Sequence, residues 1–117
     1  MPADDIQPQI FALVRDLIFA SRITATARST GVGVKILREP RQLSSERGEL
    51  LMLDLNQEGA IDAAVQWKQR TSGKTVGFSS HVDTATIERA RAAGIDRILA
   101  RSAFVEQLPQ LLGGESR

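Results

Sequence analysis

The stretch Leu50-Leu51-Met52-Leu53 runs uncharged and apolar into one carboxylate, Asp54, and then into a polar loop closed by Gly59. A short continuous apolar run reads as a strand covered on both faces, and such strands belong to parallel sheets packed between helices. A carboxylate at the carboxyl end of that strand stands where open α/β sheets place their ligands. Asp54 is therefore the point from which the rest of the chain is read.

Residues 1–8 are polar, contain Pro2 and Pro8, and read as a flexible arm. Residues 9–14 form a short apolar strand that Arg15-Asp16 ends. From Leu17 the period becomes helical, with Ala20, Ile23, Thr24 and Ala27 on one face, Arg22 and Arg28 off it, and Gly31 as the stop. Residues 32–37 alternate in part, as an edge strand does, and Pro40 cannot continue a ladder. A helical turn through Leu43 and Ser44 precedes the central strand. Residues 60–68 are Ala-rich and helical up to Ser72-Gly73. Residues 75–78 give a fourth strand ending in Ser79-Ser80. Asp83 or Thr84 caps a helix whose apolar positions are Ile87, Ala90 and Ala93, and Gly94 stops it. Residues 95–100 give a fifth strand ending at Arg101. Ser102 is the expected N-cap of a last helix through Phe104, Val105, Leu108, Leu111 and Leu112, which Pro109 kinks or deprives of a hydrogen bond. The domain spans 9–112, and residues 113–117 read as a flexible tail.

Strands alternating with helices predict an α/β three-layer sandwich with a five-stranded parallel sheet, and right-handed crossovers favour the order 2-1-3-4-5. That order sets strands one and three side by side and brings Asp16, Asp54, Ser79 and Arg101 to one end of the sheet. A chain of 117 residues is one domain's worth. It has no cysteine and a single histidine, His81, so disulfides, thiolate metal sites and histidine-cluster metal sites are excluded. His81 itself reads as a solvated loop residue. A net charge of +1 and the absence of tyrosine argue against nucleic acid as a partner. No stretch is long enough to span a bilayer, and the acidic start is unlike a signal peptide, so the expected location is the cytoplasm.

The constellation of Asp16 after strand one, Asp54 ending strand three, Ser79 ending strand four and Arg101 ending strand five resembles the receiver domain of two-component response regulators. The resemblance covers nearly the whole chain and implies the flavodoxin-like (CheY-like) fold and a signalling function rather than an enzyme. It implies Asp54 as phosphoacceptor, with Ser79 and Arg101 contacting the phosphoryl oxygens. Asp16, Asp54 and the backbone carbonyl of Asn56 become the ligands of Mg²⁺. The implied partners are a histidine kinase, a phosphotransfer protein or another signalling protein, with a homodimer also open. The chemistry is that of a carboxylate attacking phosphorus while cations hold the equatorial oxygens.

The chain departs from the family pattern at several places. Arg15 stands where a second acid is usual, Arg101 replaces a lysine, Ser102 replaces a proline, and Ile98 takes an aromatic switch position. Two unit charges about 4 Å apart gain roughly 4 kcal/mol at an effective dielectric near 20, enough to compete with a hydrated Mg²⁺. Arg15 or Arg101 is accordingly expected to pair with Asp54 or Asp16, leaving the metal weak or absent. Two readings follow: a receiver phosphorylated on Asp54, or a degenerate receiver that binds a partner without phosphorylation. The same switch point can also hold a nucleotide or flavin, although Arg15-Asp16-Leu17 lacks the small hydroxyl-rich pattern of a phosphate cradle. Gly31-Val32-Gly33 and Ser72-Gly73-Lys74-Thr75 echo nucleotide motifs but lie on the wrong side of a strand. Leu17, Ile18 and Phe19 carry more apolar surface than one buried helix face needs, so Phe19 is either half-buried or part of a docking or dimer patch.

Overall fold

The computed structural model describes residues 9–79 and 83–114. The expected arm at 1–8, the loop residues Ser80 and His81, and tail residues 115–117 lie outside the described residues.

Five strands, β1 (Ile10–Leu13), β2 (Val34–Leu37), β3 (Leu50–Asp54), β4 (Lys74–Ser79) and β5 (Arg97–Ala100), form one sheet in the order β2-β1-β3-β4-β5. Every pairing is parallel. The predicted order is thus the one that forms. Register aligns Leu13 with Leu53, Asp54 with Phe78, and Ser79 with Ala100, so the strand ends come level.

The apolar run of β3 is explained by what covers it. Leu51 and Leu53 face a layer built from Leu43, Ile61, Ala64 and Trp67. Met52 faces the opposite way, toward Phe19, Ile23, Phe78 and Phe104. Because successive side chains alternate across a strand, a strand covered on both faces turns every residue toward a core, which favours an uninterrupted apolar run. The first layer comes from a short 3-10 helix (Pro40–Ser45), α2 (Ala60–Arg70) and α3 (Thr84–Ala92); the second from α1 (Leu17–Thr30) and α4 (Arg101–Pro109). Helix α1 buries Ala20, Ile23 and Ala27 on the predicted stripe, and Gly31 ends it in the left-handed region at φ 81°. Asp83 is the cap of α3, accepting the Thr86 N–H at 3.2 Å. Pro40 opens the 3-10 helix, where its missing N–H costs nothing.

Two expectations need correction. Phe19 is not half-buried: it is 4% exposed, inside the second layer. Ser102 is not the N-cap of α4. The chain passes directly from β5 into the helix, with Ala100 extended at the cap position and no side-chain cap, so Ser102 already lies within the first turn. Arg101 is therefore the first residue of α4. At the other end α4 runs to Pro109, and a wider turn follows that leaves helical geometry at Leu112 and Gly113.

Away from the site, Asp96 joins three elements. Its Oδ2 accepts the Lys68 Nζ at 2.9 Å, the Thr75 N–H at 2.8 Å and the Thr75 hydroxyl at 3.0 Å. Partial burial favours the neutral acid, but these hydrogen bonds outweigh it and hold the carboxyl below its ordinary value. Thr75 is fully buried, so Asp96→Ala leaves its N–H without that acceptor. The expected loss is about 1–3 kcal/mol. It is read by urea unfolding followed through the fluorescence of Trp67, the only tryptophan. A carboxyl whose folded value is depressed stabilises above its unfolded value and stops doing so as pH falls through the folded one. The gap between wild type and Asp96→Ala should therefore be full at neutral pH and narrow below the ordinary aspartate value near 3.8.

Candidate functional site

Strand β3 carries Asp54 to the carboxyl end of the sheet, where it is half-buried. Its Oδ1 accepts the Asn56 N–H at 2.9 Å, and its backbone carbonyl accepts the Gln57 N–H at 3.1 Å. This local turn is the one an aspartate makes with the chain two residues on. Ser79, 5% exposed, donates its hydroxyl to Asn56 Oδ1 at 3.3 Å. Asn56 therefore links Ser79 to Asp54 through both its side chain and its backbone. This bridging amide is a contribution that sequence reasoning, which singled out only the backbone carbonyl, did not give it.

Asp16 ends the loop after β1 and caps α1. Its Oδ1 accepts the N–H groups of Ile18 at 2.9 Å and Phe19 at 3.1 Å. Its Oδ2 accepts Arg101 Nη2 at 3.3 Å, across 85 positions of sequence. The Phe19 N–H and then the Arg101 guanidinium hold this carboxyl below the ordinary aspartate value. Arg101 also lies over the Phe19 ring, with its guanidinium carbon 4.1 Å from the centroid. That ring rests on two others, with centroids 4.9 Å away for Phe78 and 5.8 Å for Phe104; Phe78 and Phe104 are themselves 4.6 Å apart. Phe19 is thus part of the site's floor. The signal was Asp16-x-x-Phe19, a cap and a ring on one helical turn, but the ring's partners come from β4 and α4.

Of the pairings expected between Arg15 or Arg101 and Asp54 or Asp16, the structure forms Arg101 with Asp16. Arg15 lies with Glu39 at 3.6 Å, in a pair whose side chains are 60% and 43% exposed. Glu39 was not anticipated from sequence. Among the described residues no cation stands within ion-pair distance of Asp54.

Mg²⁺ requires octahedral oxygen donors, usually one or two carboxylates plus waters. Here both Asp16 oxygens are already engaged, one by the helix and one by Arg101. The neighbouring position is a guanidinium, and among the described residues no group of three or more acids or imidazoles is placed to hold a metal. Asp54 and the Asn56 carbonyl alone do not make such a site. The residues present do not fit Mg²⁺.

No family model matches the chain, and no curated protein matches its sequence. Solved structures do match its shape. A response regulator from Burkholderia pseudomallei, with a phosphorylated aspartic acid, a calcium ion and citrate, has 16% identity and a TM-score of 0.75, over 92% of this chain and 68% of that one. The fold is that of receiver domains. A phosphorylated cyanobacterial phytochrome response regulator has 17% identity and a TM-score of 0.73, over 93% of this chain and 91% of that one. An atypical orphan response regulator, described as revealing a phosphorylation-independent regulatory mechanism, has 13% identity and a TM-score of 0.70, over 92% of this chain and 97% of that one. Among the described residues no helix of this receiver fold is long and apolar enough to cross a membrane.

Proposed function

We propose that this chain is a receiver-like signalling module that acts by binding a partner protein, without Mg²⁺-dependent phosphorylation of Asp54. The observation that carries this reading is the engagement of Asp16 by Arg101 at 3.3 Å, in the position where the resemblance puts a metal ligand. Attack by a carboxylate on an anionic phosphoryl donor needs cations around the transferred group. The carboxylate of Asp54 is in place, and so is the hydroxyl of Ser79. The divalent cation has no ligand set, and the Arg101 guanidinium is spent on another acid.

The partner is a signalling protein, of the histidine kinase or phosphotransfer kind or another class, or a second copy of this chain. Leu17 at 63% and Ile18 at 82% exposure give it an apolar foothold beside Asp16. Burying two such side chains favours association by about 1.5–3 kcal/mol each, before the costs of binding.

The test is transfer of radiolabelled phosphate from a small phosphodonor, with and without Mg²⁺. Wild type and Asp54→Asn are expected to label equally poorly. Stoichiometric labelling that requires Mg²⁺ and disappears in Asp54→Asn overturns the reading.

A further inference from the structure

We infer that the Arg101 guanidinium occupies Asp16 in place of a divalent metal, locking the β1–α1 junction to the β5–α4 junction. This rests on the receiver-like reading of the site and adds to it what fills the cation's place.

The contacts on Arg101 are of two kinds and they agree in direction. Its Nη2 donates to Asp16 Oδ2 at 3.3 Å, and its Cζ lies over the Phe19 ring, 4.1 Å from the centroid. A planar guanidinium can pair through its edge and stack through its face at once, which a lysine ammonium on its flexible stem cannot reproduce. Neither contact surface is loose. Asp16 is held from behind by two N–H groups of α1, and Phe19 is wedged against Phe78 and Phe104. Arg101 begins α4 directly at the end of β5, so the backbone that presents it is fixed as well.

The pair is partly exposed, with 38% of the Arg101 side chain and 52% of the Asp16 side chain open to solvent. An exposed ion pair alone contributes little. The stack on a buried ring is what makes this cation stay. Arg15 makes no such contact with Asp16, because it is turned to Glu39. A metal that would share Asp16 must first displace a guanidinium from both its acid and its ring.

The experiment is a Mn²⁺ titration of the full chain, read as paramagnetic broadening of the amide signals of Asp16 and Asp54 in wild type, Arg101→Gln and Arg15→Gln. Circular dichroism checks that each variant is folded. Wild type and Arg15→Gln are expected to show little broadening. Arg101→Gln is expected to gain apparent Mn²⁺ affinity by on the order of tenfold, the factor given by removing about 1.4 kcal/mol of competition for Asp16. Broadening of the wild type equal to that of Arg101→Gln overturns the inference. So does a gain confined to Arg15→Gln, or no gain in any variant. The labelling experiment is separate: phosphoryl transfer to the wild type defeats the partner-binding reading, whereas a wild type that takes no label, with no gain of Mn²⁺ affinity in Arg101→Gln, defeats only the assignment to Arg101.

Discussion

Phe78→Ala is expected to destabilise the domain by about 3–5 kcal/mol, the usual loss when a large core aromatic is truncated. Phe78 is 1% exposed and stands at the centre of the second layer. Its ring meets Phe19 at 4.9 Å and Phe104 at 4.6 Å, so truncation removes two tilted aromatic pairs, each worth about 0.5–1.5 kcal/mol beyond burial. A domain of this kind holds only about 5–15 kcal/mol in total, so the variant loses a large share of its stability. Urea unfolding followed by Trp67 fluorescence should show a lower midpoint with an unchanged slope. The loss also reaches the site. Phe19 is the ring beneath Arg101, and it rests on Phe78. With that support gone the guanidinium stack loosens, and the Asp16 and Arg101 signals should broaden well before global unfolding. A destabilisation below about 1 kcal/mol, outside the range for truncating a well-packed aromatic, contradicts the packing described for this layer.

The architecture was readable because it is written in local periods. The uninterrupted Leu50 to Leu53 run, the helical stripe Ala20, Ile23 and Ala27, and the stop at Gly31 each report on their own few residues. Their alternation then leaves one common sheet order. Asp54 and Asp16 were readable for the same reason, the one as the acid that ends β3 and the other as the acid that follows β1 and starts α1. What the sequence left open was which arginine meets which acid. Arg15 is adjacent to Asp16 in the chain, yet its side chain goes to Glu39, which opens the 3-10 helix after β2. Arg101 meets Asp16 from the first position of α4, which starts two residues before a helix capped by Ser102 would begin. Phe19 was ambiguous because its burial depends on two rings distant in sequence. Pairings of this kind depend on how strands and helices join, and no window of local sequence contains that.

Gly77→Ala should lower stability by about 1–3 kcal/mol, and the reason is space rather than backbone angle. Gly77 is not among the glycines at positive φ. A methyl group built on it would run into Leu55 Cδ2, and would lie 2.7 Å from Cγ and 3.0 Å from Cδ1 of the same side chain. Those distances leave no rotation of one methyl that relieves the clash; the whole isobutyl group must move. Leu55 is 1% exposed within the first layer, so it has little room to move into. It also follows Asp54 directly, and its N–H is held by the Phe78 carbonyl at 2.9 Å. Pressure on Leu55 is thereby passed to the turn that carries Asp54 and Asn56. The double-mutant cycle separates this account from a general weakening of β4. Leu55→Ala alone should cost about 2–5 kcal/mol through the cavity it leaves. In the double variant the new methyl occupies part of that cavity, so the two losses should sum to less than additive by about 0.5–3 kcal/mol. Strict additivity would mean that the alanine methyl does not meet Leu55, and the tight approach of β4 to the Asp54 loop would have to be abandoned.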